Sequence, residues 1–396
     1  MEVELRAERM AAGGDAIAHD PSGRIVFVTG ALPGELVRVI TTTEKRDYAK
    51  SIVTEVVESS PHRVAPPCPN VDRGCGGCAW QHVTPAAQHE LKRDIVVDAL
   101  RRTARLPDAD VVLGPSLPSE RFRTSLRLAV ERDGSLGYRR ARSHDVVTVD
   151  DCLVAHPLLA PLIADVRLPG ATEAVLRCGD RTGERSLAWS AAGRRDVRPT
   201  GAPDDVRCGW GAAVTEIVAG HELRASARSF MQSSPQAAEA LATAVAGCAG
   251  PIMGATRRPV IDAYGGVGLF AVTAAADAAA IVLVEGSSSA CADARHNLRH
   301  RRATIVESPV EHWSPVPADL VIADPARQGL GRDGVQVLVA TGCAVLVLVS
   351  CDPVSLARDA ALLGAAGLVH AGSVVLDAFP HTPHVEVVTR FERRDG

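Results

Sequence analysis

Three groups of residues in this 396-residue chain have types and spacings that could do chemistry. The first is Cys351, at the end of the apolar run in "LVLVSCDPVSLARD" (Leu346 to Asp359). A thiol there is core filler, a metal ligand or a nucleophile, and the residue alone leaves all three open. The second is "CPNVDRGCGGCAWQH", which sets Cys68, Cys75 and Cys78 in a C-x6-C-x2-C pattern on a Gly-rich turn. Glycine lets closely spaced thiolates converge on one centre, and Cys152 in "VDDCLVAHP" is the best candidate for a fourth ligand. Four thiolates satisfy tetrahedral zinc, and they equally hold an iron–sulfur cluster. His82 is a further possible ligand, although an ordinary surface histidine explains it more simply.

The third group lies in "VIDAYGGVGLFAV", where a strand (Val260 to Ala263) runs into Gly265-Gly266-Val267-Gly268 and then a helix. Glycines at such a junction let backbone approach a ligand at the carboxyl edge of a sheet. Glu285, ending the next strand in "IVLVEG", is placed to bind ribose hydroxyls. Asp324 in "VIADPARQGLG" ends a third strand, which Pro325 stops; the plain alternative is a helix-capping Asp. The turn matches neither the dinucleotide G-x-G-x-x-G pattern nor a Gly-Lys-Ser/Thr phosphate loop. A nucleotide without pyrophosphate fits better, which points to S-adenosylmethionine rather than NAD or ATP.

These residues need elements to position them. Residues 1 to about 60 read as short strands split by "GGD", "PSG" and "LPGE" turns, which predicts a small five-stranded barrel. "SSPHRVAPPCP" has the proline density of a linker, and "TPAAQHELKRDIVVDALRR" reads as a helix with a Thr-Pro start. Residues 120 to 220 are strand-like and Arg-rich, which predicts an insertion with its own sheet. After about 225, apolar β-branched runs alternate with helical stretches, the pattern of a mostly parallel, doubly wound sheet. The net charge of −4 supplies no global basic field for a nucleic-acid partner. Charge is uneven, however: Arg121, Arg123, Arg127, Arg132, Arg139, Arg140 and Arg142 stand against Glu131 and Asp133. The N-terminus lacks a signal pattern, and no run of about 18 apolar residues could span a bilayer, so a cytoplasmic protein with no membrane partner is expected. Ten Cys in a reducing compartment then argue for metal binding or catalysis rather than a disulfide framework.

Several separated motifs agree with one family. "GELVRVITTTEKRDYAKSIVTEVVESSPHRVAPPCP", "CGGCAWQH", "SFMQSSPQAAEAL", "SCDPVSLARD" and "FPHTPHVEVVTRF" occur along the chain in family order. On these the chain resembles the S-adenosylmethionine-dependent RNA 5-methyluridine methyltransferases, in the branch with a TRAM domain and a [4Fe-4S] cluster. The resemblance implies an α/β protein in three parts. Residues 1–60 would be a TRAM β-barrel, oligonucleotide-fold-like and RNA-binding. Residues 61–224 would hold the cluster loop and a central α+β, β-rich RNA-binding domain. Residues 225–396 would be a Rossmann-like class I methyltransferase domain. It also implies Cys351 as nucleophile and Glu386 as the proton-abstracting base. Gln232, Tyr264, Leu269, Glu285 and Asp324 would lie at the methyl donor, with Leu269 acting through backbone or packing. Cys68, Cys75, Cys78 and Cys152 would hold the cluster, with zinc as the lesser alternative.

The implied substrate is a uridine in 23S rRNA, with tRNA as runner-up, and the implied enzyme is a monomer that flips its target base. The Arg121–Arg142 stretch would supply phosphate contacts. A non-catalytic TRAM-containing RNA-binding protein and a small-molecule methyltransferase are the competing readings. The chain departs from the family pattern at four places: Asp352 stands where Asn is usual, and Asp324-Pro325-Ala326-Arg327 replaces Asp-Pro-Pro-Arg. The first Cys spacing is one residue longer than usual, and Gly265 replaces a Cys.

Overall fold

The computed structural model describes residues 2–141, 143–192 and 197–394. The first sheet holds β1 (Glu2–Arg6), β2 (Arg9–Met10), β3 (Ala16–His19), β4 (Ile25–Thr29), β5 (Leu36–Glu44) and β6 (Tyr48–Glu58), in the order β1-β5-β6-β4-β3-β2. β1 and β2 are two halves of one bent segment. The first half pairs antiparallel with β5 and the second with β3. Between them the Glu8 N–H donates to the Ile17 carbonyl at 2.8 Å. One stretch of chain therefore joins the two ends of the sheet, and six assigned strands occupy five positions around a barrel. The expectation of five strands missed the break at Ala7, whose N–H and carbonyl pair with the Glu35–Gly34 corner. Leu5, Val26, Val28, Val37 and Val39 alternate inward as the two-residue strand period requires.

The Pro-dense segment leads into α1 (Pro85–Ala99), which begins at Thr84-Pro85 with proline in its first turn. It closes through a π-turn at Leu100–Ala104, and Arg105 takes the left-handed conformation (φ 58°) that stops it. β7 (Val111–Leu113) follows and pairs with a strand far downstream. Val96 and Leu100 are buried in the same core as Leu356 and Phe391, so this early segment packs on the C-terminal layer.

A second six-stranded sheet comprises β8 (Ser125–Val130), β9 (Leu136–Arg139), β10 (Val146–Thr148), β11 (Ala171–Cys178), β12 (Arg185–Ala191) and β13 (Val206–Cys208). The short helix α2 (Ala160–Asp165) buries Leu162 and Ile163 in the core under this sheet. A hairpin of β14 (Ala213–Val218) and β15 (His221–Ser226) then turns through Ala219 and Gly220, both at positive φ. Two left-handed residues are what a tight two-residue hairpin demands.

The third sheet has eight strands. β16 (Val260–Ala263), β17 (Ile281–Glu285), β18 (Ala303–Glu307), β19 (Leu320–Ala323), β20 (Val345–Ser350), β21 (Leu368–Leu376) and β22 (Glu386–Arg393) join β7 in the order β18-β17-β16-β19-β20-β22-β21-β7. Only β22 runs against its neighbours, inserted between β20 and β21. The connecting helices are α3 (Pro235–Ala249), α4 (Ile252–Ala255), α5 (Leu269–Val272), α6 (Ser288–Asn297), α7 (Gly331–Val339) and α8 (Pro353–Ala365). Alternate residues of β20 feed opposite cores: Leu346 and Leu348 enter one, Val345, Val347 and Val349 the other. Burial on both faces is why this strand reads as an unbroken apolar run. The helices over it start where their capping residues dictate. Ser234 accepts from the Ala237 N–H at 3.1 Å ahead of α3, and Asp352 accepts from the Ser355 N–H at 2.7 Å ahead of α8.

Candidate active site

Strand register brings Cys351 and Glu386 together. β20 and β22 are antiparallel with Ser350 opposite Val387, so the residue after β20 and the first residue of β22 meet at one sheet edge. Pro353 in the first turn of α8 ends the strand immediately behind the thiol. Both side chains line a cleft of about 700 Å³, together with Gln232, Tyr264, Glu285 and Asp324. Leu269, at the start of α5, lines it as well.

The floor of the cleft is a backbone cradle. Tyr264, Gly266 and Gly268 all have positive φ (57°, 55° and 90°), so the turn after β16 folds back on itself. Gly265 has no room for a side chain, because a Cβ there would lie 2.6 Å from Leu283 Cγ. The Glu285 carboxylate accepts from the Gly266 N–H at 2.9 Å and the Ser287 N–H at 2.6 Å, fixing the turn while facing the cleft. Tyr264 donates its hydroxyl to Glu311 at 2.7 Å. The unfilled space over Gly266, the acid beside it and the absence of a phosphate-binding lysine fit a nucleoside cofactor such as S-adenosylmethionine.

Charge in the cleft is strained toward neutrality. Burial, then Glu285, lifts Asp324 to about 7. Burial, then Asp324, holds the Glu386 carboxyl far above its usual range. Burial, then Glu386 and Asp324, pushes the Cys351 thiol up to about 12. Glu386 Oε2 and Gln232 Oε1 are buried without a hydrogen-bond partner among the described residues. Buried polar atoms are seldom left so, and both residues line the cleft.

The four cysteines Cys68, Cys75, Cys78 and Cys152 line a second, small cavity of about 50 Å³, beside Tyr138. Cys75 and Cys78 are both pushed up by burial and by the charges of the other thiols, Cys78 to about 11. The donor set is all sulfur, which suits zinc or an iron–sulfur cluster. Among the described residues, no three acidic, His or Cys side chains are converged to hold a metal ion as they stand. The loop docks on the central sheet, with Gly76 N–H donating to the Arg139 carbonyl at 3.1 Å. Gly77 and Arg123 line both cavities. His82 does not line the small one. It is no surface histidine either: its ring is largely buried, which pushes it down to about 4, and its Nε2 has no partner among the described residues.

No protein-family model matches the chain. It is 33% identical to an uncharacterized RNA methyltransferase of Streptomyces avermitilis, across 99% of this chain and 98% of that protein. It is 32% identical to the 23S rRNA (uracil(1939)-C(5))-methyltransferase RlmD of Chromohalobacter salexigens, across 96% of this chain and 87% of that one. The chain belongs to the RNA (uracil-C5) methyltransferase family. Its fold is that of a Pyrococcus abyssi tRNA (uracil-54, C5)-methyltransferase solved with S-adenosyl-L-homocysteine, at a TM-score of 0.74 and 22% identity over 99% of this chain and 100% of that one.

Within this methyltransferase the departures from the family pattern find physical places. Asp352 caps α8, a task Asn performs as well, so its carboxylate is spent on the helix. Gly265 sits where any side chain would strike Leu283 in the present packing. The Arg-rich stretch is only partly available to a ligand. Arg121 is held by Asp151 in a two-pronged pair at 2.5 and 2.6 Å, and Arg127 by Glu173 at 2.8 Å. Arg123 faces the cleft, and Arg142 lies outside the described residues. Sequence reasoning noted Arg327 only as the end of the Asp324–Arg327 motif and passed over His384; the two line the cleft in contact with each other. It also passed over Phe230, 66% exposed at the cleft wall. "PARQG" and "FPHTPHVE" carried two of them in plain view, but a lone Arg or His has no spacing to mark it.

Proposed function

We propose that the protein transfers a methyl group from S-adenosylmethionine to C5 of a uridine in 23S rRNA, through a covalent bond between Cys351 and C6. The observation that carries this is the antiparallel register of β20 and β22, which puts a thiol and a buried carboxyl at the same edge of one cleft. C5 of uracil is a poor nucleophile until C6 is attacked. The Cys351 thiolate forms an S–C6 bond, and the C5=C6 electron pair moves onto O4 as an enolate. The cofactor supplies an activated methyl carbon, to which C5 bonds as the carbon–sulfonium bond breaks. Glu386 as carboxylate takes the C5 proton, the C5=C6 bond re-forms, and the thiolate leaves. Asp324 and Gln232 would hold the uracil edge and the methyl donor, since both face the cleft and Gln232 has an open acceptor.

RNA carrying 5-fluorouridine tests this directly, because fluorine cannot leave C5 as a proton. The wild-type protein should form a stable adduct at Cys351 and the Cys351→Ala variant none; failure of the wild type to do so overturns the reading. Glu386→Gln should trap the methylated adduct on ordinary RNA and lower turnover by about 10²–10⁴-fold. Mass spectrometry of 23S rRNA and tRNA from a deletion strain should find the missing methyl group in 23S rRNA; finding it in tRNA would install the runner-up.

The division at residues 60 and 224 assigns RNA contact to the barrel and the central sheet and methyl transfer to the last part, with the α1–β7 segment packed on the latter. Cys68, Cys75, Cys78 and Cys152 would hold a [4Fe-4S] cluster, as one small cavity lined by all four thiols between loop and sheet supports. Its service there is structural, tying the loop that walls the cleft. Anaerobically purified protein should show broad visible absorbance that bleaches on oxidation; colourless protein with stoichiometric zinc would refute the cluster. Ten free thiols fit a reducing cytoplasm. No described helix is long and apolar enough to cross a membrane.

A further inference from the structure

The cleft is rich in acid. Glu285, Asp324 and Glu386 line it with Cys351, and the cations on its wall are Arg123 and Arg327. Arg123 donates its Nε–H to the Ser125 carbonyl, 3.2 Å away on the central sheet. Arg327 makes no ion pair with any described carboxylate; its guanidinium instead meets His384 Nε2 at 3.3 Å. His384 is set in turn by its backbone N–H, which donates to Thr382 Oγ1 (3.3 Å), and by an edge-on contact of its ring with Phe379, ring centres 6.2 Å apart. It stands two residues before Glu386, so one short segment carries both.

We propose that His384 is a positioning residue: it accepts a hydrogen bond from Arg327 and so holds that guanidinium as the counter-charge for the Cys351 thiolate. The inference deepens the proposed function by naming what makes its nucleophile usable. Burial, then Arg327, keeps His384 down to about 4, so the ring is neutral at pH 7. A neutral imidazole has one acceptor nitrogen, and Nε2 takes that role when the proton sits on Nδ1. Among the described charged groups, Glu386 and Asp324 oppose ionisation of Cys351 and Arg327 favours it. The same guanidinium favours the ionised form of Glu386. Both groups must be anions at different steps of one turnover, so where Arg327 points bears on each.

The test uses the full protein without RNA or cofactor, so it reads the thiol and not methyl transfer. Iodoacetamide labelling of Cys351 is followed by peptide mass spectrometry across pH 7 to 10, with the exposed Cys208 as internal reference. Arg327→Met should slow Cys351 labelling about tenfold at a given pH, the effect of a one-unit rise in thiol pKa, and leave Cys208 unchanged. His384→Met should do nearly the same, and His384→Gln, which keeps an acceptor, should recover most of the rate. In the Arg327→Met background, His384→Met should add nothing, because it acts through Arg327. Equal Cys351 rates in wild type, Arg327→Met and His384→Met overturn the proposal, as do effects that simply add in the double variant. Loss of the 5-fluorouridine adduct with these labelling rates intact would instead sink the methyl-transfer reading and leave the pair standing.

Discussion

Asp324 sets usefulness against stability within one side chain. Burial, then Glu285, raises its folded pKa to about 7 from an ordinary value near 4. Between those two values the folded state holds a proton that the unfolded chain has released. Folding stability is therefore lost as pH rises through that window. Asp324→Asn removes the term, so its melting temperature should overtake that of the wild type as pH is raised from 4 to 8, while methyl transfer collapses. Calorimetry at the two ends of the range checks it, and a gap that does not widen with pH would contradict the assignment. At this scale the sequence was informative where types are scarce and local. Cys351, the Gly turn, Glu285 and Asp324 announced themselves by sitting at strand ends. Glu386 came only through the family motif, since nothing in "HVEVV" says that its strand will be inserted beside β20. The pairing of Arg327 with His384 went unseen because it is a contact between residues 57 positions apart.

The segment carrying Gln232 is held by a buried carboxylate on a helix behind it. Asp293 of α6 accepts from the Ser226 N–H (2.8 Å), the Ser226 hydroxyl (2.8 Å) and the Ser229 hydroxyl (2.6 Å), and it pairs with Arg224. From the other side, buried Arg177 donates to the carbonyls of Ser226 and Ser229 at 2.7 Å each. Hydrogen bonds to a charged group are worth about 1.5–3 kcal/mol each, and a buried set of them fixes the backbone between. Asp293→Asn weakens every bond that Asp293 accepts at once. The expected outcome is a KM for S-adenosylmethionine raised about tenfold with kcat within about twofold, since the variant disturbs placement and leaves the reacting groups intact. Steady-state kinetics decides, and a loss confined to kcat would show that the clamp serves another step. Element boundaries were legible where a helix start was written into the chain, as at Thr84-Pro85. The β1–β2 bend was not legible, because what breaks that strand is a partner 28 residues later, the Glu35 carbonyl that takes the Ala7 N–H.

At the scale of the molecule, one buried knot ties barrel, cysteine loop and catalytic edge. Lys92 of α1 is fully buried, paired with Asp377, and donates to the Phe379 carbonyl at 3.0 Å. Its ammonium lies 5.9 Å from the ring centre of Trp80, whose N–H groups reach His381 (2.8 Å) and Gly14 of the barrel (3.2 Å). Gly14 leaves no space for a methyl group against Pro383. Lys92→Met strands Asp377 without a counter-charge and should destabilise the protein by about 3–5 kcal/mol. Lys92→Met/Asp377→Leu should regain most of that, since a packed apolar pair often replaces a buried ion pair without loss. Denaturant unfolding of the three proteins measures it. None of this knot could be read in advance, for its members are spread along the chain from Gly14 to Pro383. Fold class could, because helix-spaced and strand-spaced apolar runs alternate locally. The β22 strand gives the architecture a consequence in time. It follows every other strand in the chain, yet its place is between β20 and β21, and its first residue is Glu386. Chains fold from the N-terminus as they are synthesised, at about 5–20 residues per second. Barrel, cysteine loop and cofactor cradle can therefore all be in place on the ribosome while the base is still being polymerised. A nascent chain would hold its nucleophile without the group that completes turnover, and the enzyme would switch on only when its final strand slides home.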